Sequence, residues 1–275
     1  MAPLLSGKVQ ALFVPQLNEF QGRVTPQCLV KALQPLYEKL PDHFINSFTL
    51  EQGLIEDFQG LLSNNNKRGP APKAHPFADW RRDFLTLLKG SQGTLLLART
   101  AQRAQDAYEL AEGKVDIAVH TVKQKKGYHT LLTAPKVNLL NNWWQQIVLL
   151  DGPLCPQELK TIHARCPRAK IYTVNEQQPL RKMLNALAVE DEPLRGLYRV
   201  LRREPVASLQ LLGQKAGLSP GQTLVGLISL SQVQLLCWQP APFTYTLLPP
   251  APCNIGDGPF LGGLRKARDH INKKI

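Results

Sequence analysis

The sequence predicts an α/β fold: a parallel-sheet domain over residues 77–191, a β-hairpin before it, and a helix-turn-helix with its own hairpin after it. Three observations carry this. Apolar runs of strand length ("TLLLA", "HTLLTA", "QIVLLDG") alternate with segments of helical spacing, as strands buried on both faces of a parallel sheet do. Two strand-like segments occupy the first 35 residues. Beyond Asp191, apolar residues recur at helical spacing and are interrupted by the turn "AGLSPGQT".

Size and composition set the bounds. A chain of 275 residues favours more than one packed unit. A hydrophobic share of 43% with 20% charged residues argues against wholesale disorder. No apolar run approaches the length needed to cross a bilayer, so no membrane partner is expected. The start, "MAPLLSGKVQ", lacks a basic leader followed by an apolar core, which predicts a cytoplasmic protein. Cys28, Cys155, Cys166, Cys237 and Cys253 form no C-x-x-C pair and read as reduced thiols packed as small hydrophobes. The net charge is +12, and the excess grows along the chain. Residues 1–76 carry 7 Lys/Arg against 6 Asp/Glu, and residues 192–275 carry 10 against 4. Such a bias favours a polyanionic partner, and a generically basic protein is the plainer reading.

The elements follow in order. Residues 1–35 read as strand, polar loop, strand, with "LNEFQGR" as the loop between "VQALFV" and "QCLVKAL". Residues 36–76 form a helical connector and linker. One helix there is capped by Thr49 with Gln52 three residues on, and Ser63–Pro76 is the polar linker. Residues 77–191 hold strands Thr94–Ala98, Val115–His120, His129–Ala134, Gln146–Gly152 and Ala169–Val174. Between them lie a helix over Arg99–Gly113, ended by its glycine, and one beginning at Pro156. Residues 192–250 begin with an amphipathic helix that presents Leu194, Leu197, Tyr198 and Leu201 on one face. Two further helices and two short strands complete a winged-helix-like order. Residues 251–275 are a basic tail helix.

Few positions invite catalytic chemistry. "GSQGTLLLA" precedes a strand, whereas a P-loop follows one and needs Gly-Lys-Ser/Thr, so no nucleotide is expected. A two-metal site needs several Asp and His in one cleft, and the Asp-His pairs in "PDHF" and "RDHI" lie in helical, surface-like contexts. Asp151, at the carboxyl end of a buried strand, is the best-placed acid. It reads as a ligand or base, or, more simply, as a cap on the turn and helix that follow. His163 reads as a solvent-facing helix residue. No catalytic residue and no cofactor are assigned to this chain.

Nucleic-acid features are more numerous. Asn18, Phe20 and Arg23 offer an amide, an aromatic ring and a cation beside two strands, the means by which oligonucleotide-binding barrels stack bases and pair phosphates. An ordinary hairpin with Phe20 tucked inside fits the spacing equally. Lys123, Lys125 and Lys126 lie on a loop with Tyr128 and suit a phosphate backbone, or are simply solvated. Arg199, Arg202 and Arg203 decorate the first helix after residue 191. The third helix, "SPGQTLVGLISL", is nearly uncharged, which argues against reading a major groove with it.

These residues bear a resemblance. "FVPQLNEFQGRVTPQCLVKALQP" resembles the last strands of the oligonucleotide-binding (OB) domain of RecJ-type single-strand-specific DNA exonucleases. Asn18, Phe20, Gly22, Arg23 and Gln27 match the family's hairpin pattern, with Phe20 where Trp is common and Cys28 in place of Leu. "QIVLLDGPLCPQEL", "AKIYTV" and "LRGLYRVLRRE…LLGQKAGLS…LVGLISLSQVQLL" resemble the extra C-terminal region of some bacterial RecJ proteins. The resemblance implies that the chain is the back portion of a longer protein and opens inside the barrel's last hairpin. It also implies that the DHH-type nuclease core and its manganese or magnesium lie elsewhere, since neither "DHH" nor "GGH" occurs here. Single-stranded DNA is the implied partner, with a repair or replication protein as a further one. A second resemblance, of Gly93–Thr121 and the strands after it, is to the second motor lobe of superfamily-two helicases. The expected paired-arginine motif is reduced to "HARCPR". That implies a degenerate Rossmann- or helicase-lobe-like domain without ATPase activity, which would serve as a protein-interaction module.

Overall fold

A computed structural model describes residues 9–35, 39–63, 72–90, 93–123, 129–249 and 253–273. The chain forms two compact units, Met1–Lys39 and Leu40–Ile275.

The first unit is an antiparallel hairpin of β1 (Val9–Phe20) and β2 (Arg23–Pro35). The segment expected to be a polar loop is strand instead. Pairing continues to Phe20 opposite Arg23, and the turn is only Gln21–Gly22. Both turn residues have positive φ, 49° and 72°, the conformation whose twist matches a two-residue hairpin. A bulge between Leu12 and Phe13 shifts the register, so that Leu12 faces Ala32 while Phe13 faces Val30. Beyond the bulge the two faces differ. One carries Phe13, Pro15, Leu17, Glu19, Val24, Pro26, Cys28 and Val30. The other carries Val14 and Leu29 near the bulge and Gln16, Asn18, Phe20, Arg23, Thr25 and Gln27 toward the turn.

The second unit begins with α1 (Asp42–Ile45) and α2 (Ser47–Ser63). Asn46 caps α2, accepting the Thr49 N–H at 3.3 Å, so Thr49 is a first-turn residue and not the cap. The middle of the expected linker Ser63–Pro76 lies outside the described residues; Ser63 closes α2, and His75–Pro76 form edge strand β3. Then come α3 (Trp80–Leu88), β4 (Thr94–Ala98), α4 (Ala101–Leu110), β5 (Asp116–Val119), β6 (His129–Thr133) and β7 (Gln146–Leu149). The α5 (Pro156–Arg165), β8 (Lys170–Thr173) and α6 (Gln178–Leu187) elements complete the α/β part. Strands β3 to β8 form a six-stranded, fully parallel sheet in the order β3-β8-β7-β4-β6-β5.

Alternation along the central strands explains the apolar runs. Leu95, Leu97, Ile147 and Leu149 enter one core with α2 and α5, while Leu96, Ala98, Val148 and Leu150 enter another with α3 and α4. The sheet is therefore buried on both faces and is compatible with a Rossmann-like lobe. Helix α2 presses closely onto it. A Cβ on Gly53 would lie 2.4 Å from the Ala134 Cβ and 3.1 Å from that residue's Cα and carbonyl oxygen. Backbone cannot yield as a side chain can, so Gly53→Ala should cost about 1–3 kcal/mol, read as a lower denaturant midpoint.

Helices α7 (Asp191–Arg203), α8 (Leu209–Ala216) and α9 (Pro220–Gln232) follow, then the hairpin β9 (Leu236–Pro240) and β10 (Phe243–Leu247), then α10 (Pro259–Asn272). Helix α8 ends on left-handed Gly217 at φ 68°, and Ser219 with Gln222 forms a full capping box on α9. Helix α9 is buried from Gly221 to Leu230 apart from Gln222. Its lack of charge is that of a core helix. The basic tail helix α10 is amphipathic and buries Phe260, Leu261, Leu264 and Ile271. One apolar cluster runs from Leu54 of α2 through α9 to Ile271, joining these helices to the sheet.

Candidate nucleic-acid interface and the carboxyl end of the sheet

The hairpin brings three of the candidate residues together. Asn18 faces Thr25, and Phe20 faces Arg23 across the last pair before the turn. Directly opposed residues share a face, so Asn18, Phe20, Arg23 and Thr25 form one patch at the hairpin's end. Thr25 donates its hydroxyl to the Asn18 carbonyl at 3.3 Å. Phe20 is 70% exposed, which excludes the alternative of a ring tucked inside. A flat aromatic surface beside a guanidinium and an amide is what stacks a base and pairs its phosphate.

The remaining candidates are spread out. Lys123 is exposed, and Lys125, Lys126 and Tyr128 lie outside the described residues. Arg195, Arg199, Arg202 and Arg203 are exposed on α7. Two of them are engaged locally, since Arg199 and Arg195 both pair with Glu192, while Arg202 lies 6.0 Å from the centre of the Tyr198 ring.

The carboxyl end of the sheet holds a site that sequence spacing did not reveal. From β4 the chain passes to one side of the sheet, and from β7 to the other, so the crevice between them is a switch point, where open α/β sheets take ligands. Here protein groups fill it. Asp151 does not cap α5, whose N-cap residue is Cys155 and which has no side-chain cap. Its carboxylate instead reaches across to the start of α4. It accepts the Arg99 N–H at 2.7 Å, the Thr100 N–H at 3.2 Å and the Thr100 hydroxyl at 2.7 Å. The anion-accepting start of α4 is thus occupied by the chain's own carboxylate. Complete burial pushes the Asp151 carboxyl up from its ordinary value, against these three hydrogen bonds.

Beside it the Arg99 side chain is buried between two acids. Its Nη2 lies 2.6 Å from Glu158 and 2.8 Å from Asp57. Asp57 also accepts the Val137 N–H at 2.7 Å, and Glu158 the Leu154 N–H at 2.7 Å. Burial works against the Arg99 charge, yet Glu158 and Asp57 hold its proton more tightly than usual. For Asp57, burial outweighs Arg99 and pushes the carboxyl up to about 6. Folded Asp57 therefore keeps its proton where the unfolded chain has lost it. Stability from this group is full below the ordinary 3.8 and falls as pH rises to about 6. Asp57→Asn should flatten the pH dependence of stability across that window, read from denaturation midpoints at a series of pH values.

A second buried arginine ties α4 to the loop after β8. Arg103, 2% exposed, donates to the Glu176 carbonyl at 2.7 Å and pairs with its carboxylate at 3.0 Å. The guanidinium also lies 5.1 Å from the centre of the Trp80 ring. His163 is exposed on α5, as expected. Among the described residues no group of three or more His, Cys, Asp or Glu side chains is placed to hold a metal ion. Among the same residues no helix is long and apolar enough to cross a membrane. Comparisons with protein-family models, curated proteins and solved structures found no match to the chain.

Proposed function

We propose that this chain is a non-catalytic, single-strand-handling region of a RecJ-like DNA exonuclease, acting in repair and recombination. The observation that supports it best is the hairpin's end, where exposed Phe20 shares a face with Arg23 and Asn18. On this reading β1 and β2 are the closing strands of an OB-like barrel. Helices α7 to α9 with β9 and β10 form a winged-helix-like domain whose third helix packs and does not read duplex. The chain needs no cofactor of its own, and manganese or magnesium belongs to the nuclease core. Fluorescence anisotropy with single-stranded and duplex oligonucleotides tests this. Preferential, salt-sensitive binding of single strands without chelator-sensitive cleavage is the expected result.

A second reading rests on a different observation. The switch-point crevice is filled by Asp151, Arg99 and Glu158, which favours a degenerate α/β domain used for docking a repair or replication protein. Equal, weak binding to both DNA forms would favour it over the first.

A further inference from the structure

The strand β10 folds back against the end of α7, and this places two aromatic rings beside two arginines far from them in sequence. A groove of about 560 Å³ lies there, lined by Arg202, Arg203, Phe243, Thr244 and Tyr245 among others, a size within the ~300–1,000 Å³ of ligand sites. Phe243 and Tyr245 are two apart on β10 and so project from one face. Both are half-buried, with ring centroids 6.0 Å apart. The Tyr245 ring is held in place, since its hydroxyl donates to the Glu204 carbonyl at 3.0 Å, with the Leu201 carbonyl also within reach at 3.4 Å.

Charge at the groove favours an anion. Arg202 and Arg203 are exposed on its α7 side. Glu204, the acid that lines it, is paired with Lys215 at 2.6 Å. The negative end of α7 also points here, and the two arginines of its last turn offset it.

We propose that this groove is a second single-strand site, in which Phe243 and Tyr245 stack successive bases and Arg202 and Arg203 pair the phosphates. It deepens the reading of the chain as a single-strand-handling region and rests on that reading. The ring spacing selects the ligand. The two rings are tilted by 39° with centroids 6.0 Å apart, so bases laid on both cannot keep the parallel, about 3.4 Å spacing of a duplex strand, which favours an unstacked single strand. The arginines reach phosphates in any sequence, which makes the site sequence-tolerant.

The test compares oligothymidylate binding by the full chain, by Phe20→Ala with Arg23→Ala, and by Phe243→Leu with Arg203→Gln. Leucine keeps the apolar packing and removes the ring. The groove variant should bind single strands roughly tenfold more weakly, with a salt slope smaller by about 0.7 for one lost phosphate contact. Its duplex affinity should not change. An unchanged groove variant beside a weakened hairpin variant would overturn the groove and leave the wider reading intact. An unsubstituted chain that does not bind single strands would overturn both. Binding of an acidic peptide that the groove substitutions abolish, with single-strand affinity untouched, would replace the occupant and overturn the proposal. Should the groove variant fold poorly, phenylglyoxal labelling of the unsubstituted chain decides. Oligothymidylate should slow labelling of Arg203, and an unaltered rate would overturn the site.

Discussion

Arg99→Ala should destabilise the Leu40–Ile275 unit by about 3–5 kcal/mol, the usual cost of removing one partner from a buried ion pair. The side chain lies between Asp57 and Glu158, both buried, and it bridges α2, the end of β4 and α5. Removing it leaves two carboxylates close together without a countercharge. Neither can reach water, so the penalty is that of uncompensated charge and exceeds a lost hydrogen bond. Chemical denaturation reads it directly. Asp57→Asn in the Arg99→Ala background should recover part of the loss, because it removes one of the stranded charges and keeps an acceptor for the Val137 N–H. A change in stability of less than about 1 kcal/mol in Arg99→Ala would mean that this network does not fasten the three elements together.

The second large effect lies on the hairpin. Phe20→Ala should weaken single-strand binding by about 5- to 150-fold, following ~1–3 kcal/mol for a base stacked on an aromatic ring. Arg23→Ala should lower affinity and also reduce the salt slope by about 0.7, because a guanidinium that pairs one phosphate releases its counterions. Neither residue is buried, so fold stability should be nearly unchanged, within ±0.5 kcal/mol. Loss of affinity without loss of stability separates a binding role from a structural one. Equal binding by the variants and the unsubstituted chain would remove the hairpin from the account.

Much of the architecture was legible because burial writes itself into composition. β4 is bounded as its apolar run predicts, and β5 to β8 lie within theirs. The Ser219 capping box and Gly217 mark the bend that "AGLSPGQT" implies. The hairpin runs further than the apolar pattern shows because Asn18 and Glu19 are polar residues that continue the strand pairing, and a polar stretch leaves no apolar alternation to read. Helix α3 was missed for a similar reason, since Phe84 is its one buried residue.

The site residues divide in the same way. Asn18, Phe20 and Arg23 are neighbours in sequence, and the hairpin pairing keeps them neighbours in space, so a local reading is enough to group them as candidates. Asp57, Arg99 and Glu158 belong to three elements that only the parallel sheet brings together, and no spacing rule connects them. The one available signal was a charged residue directly after a fully apolar strand, Arg99 after "TLLLA" and Asp151 after "QIVLL". Asp151 was noticed, but its partner lay across the sheet on α4 and not on the helix that follows it. Phe243 and Arg203 likewise meet only because β10 returns to α7.

The claim that the chain handles single strands through the hairpin's end is tested most directly by photo-crosslinking. A single-stranded oligonucleotide carrying iodinated uracil would be irradiated with the full chain and the adducts mapped by mass spectrometry. Crosslinks at Phe20 are expected, diminished by salt and by competing single strands, with little competition from duplex. Adducts confined to Leu40–Ile275, with none between Val9 and Pro35, would contradict it.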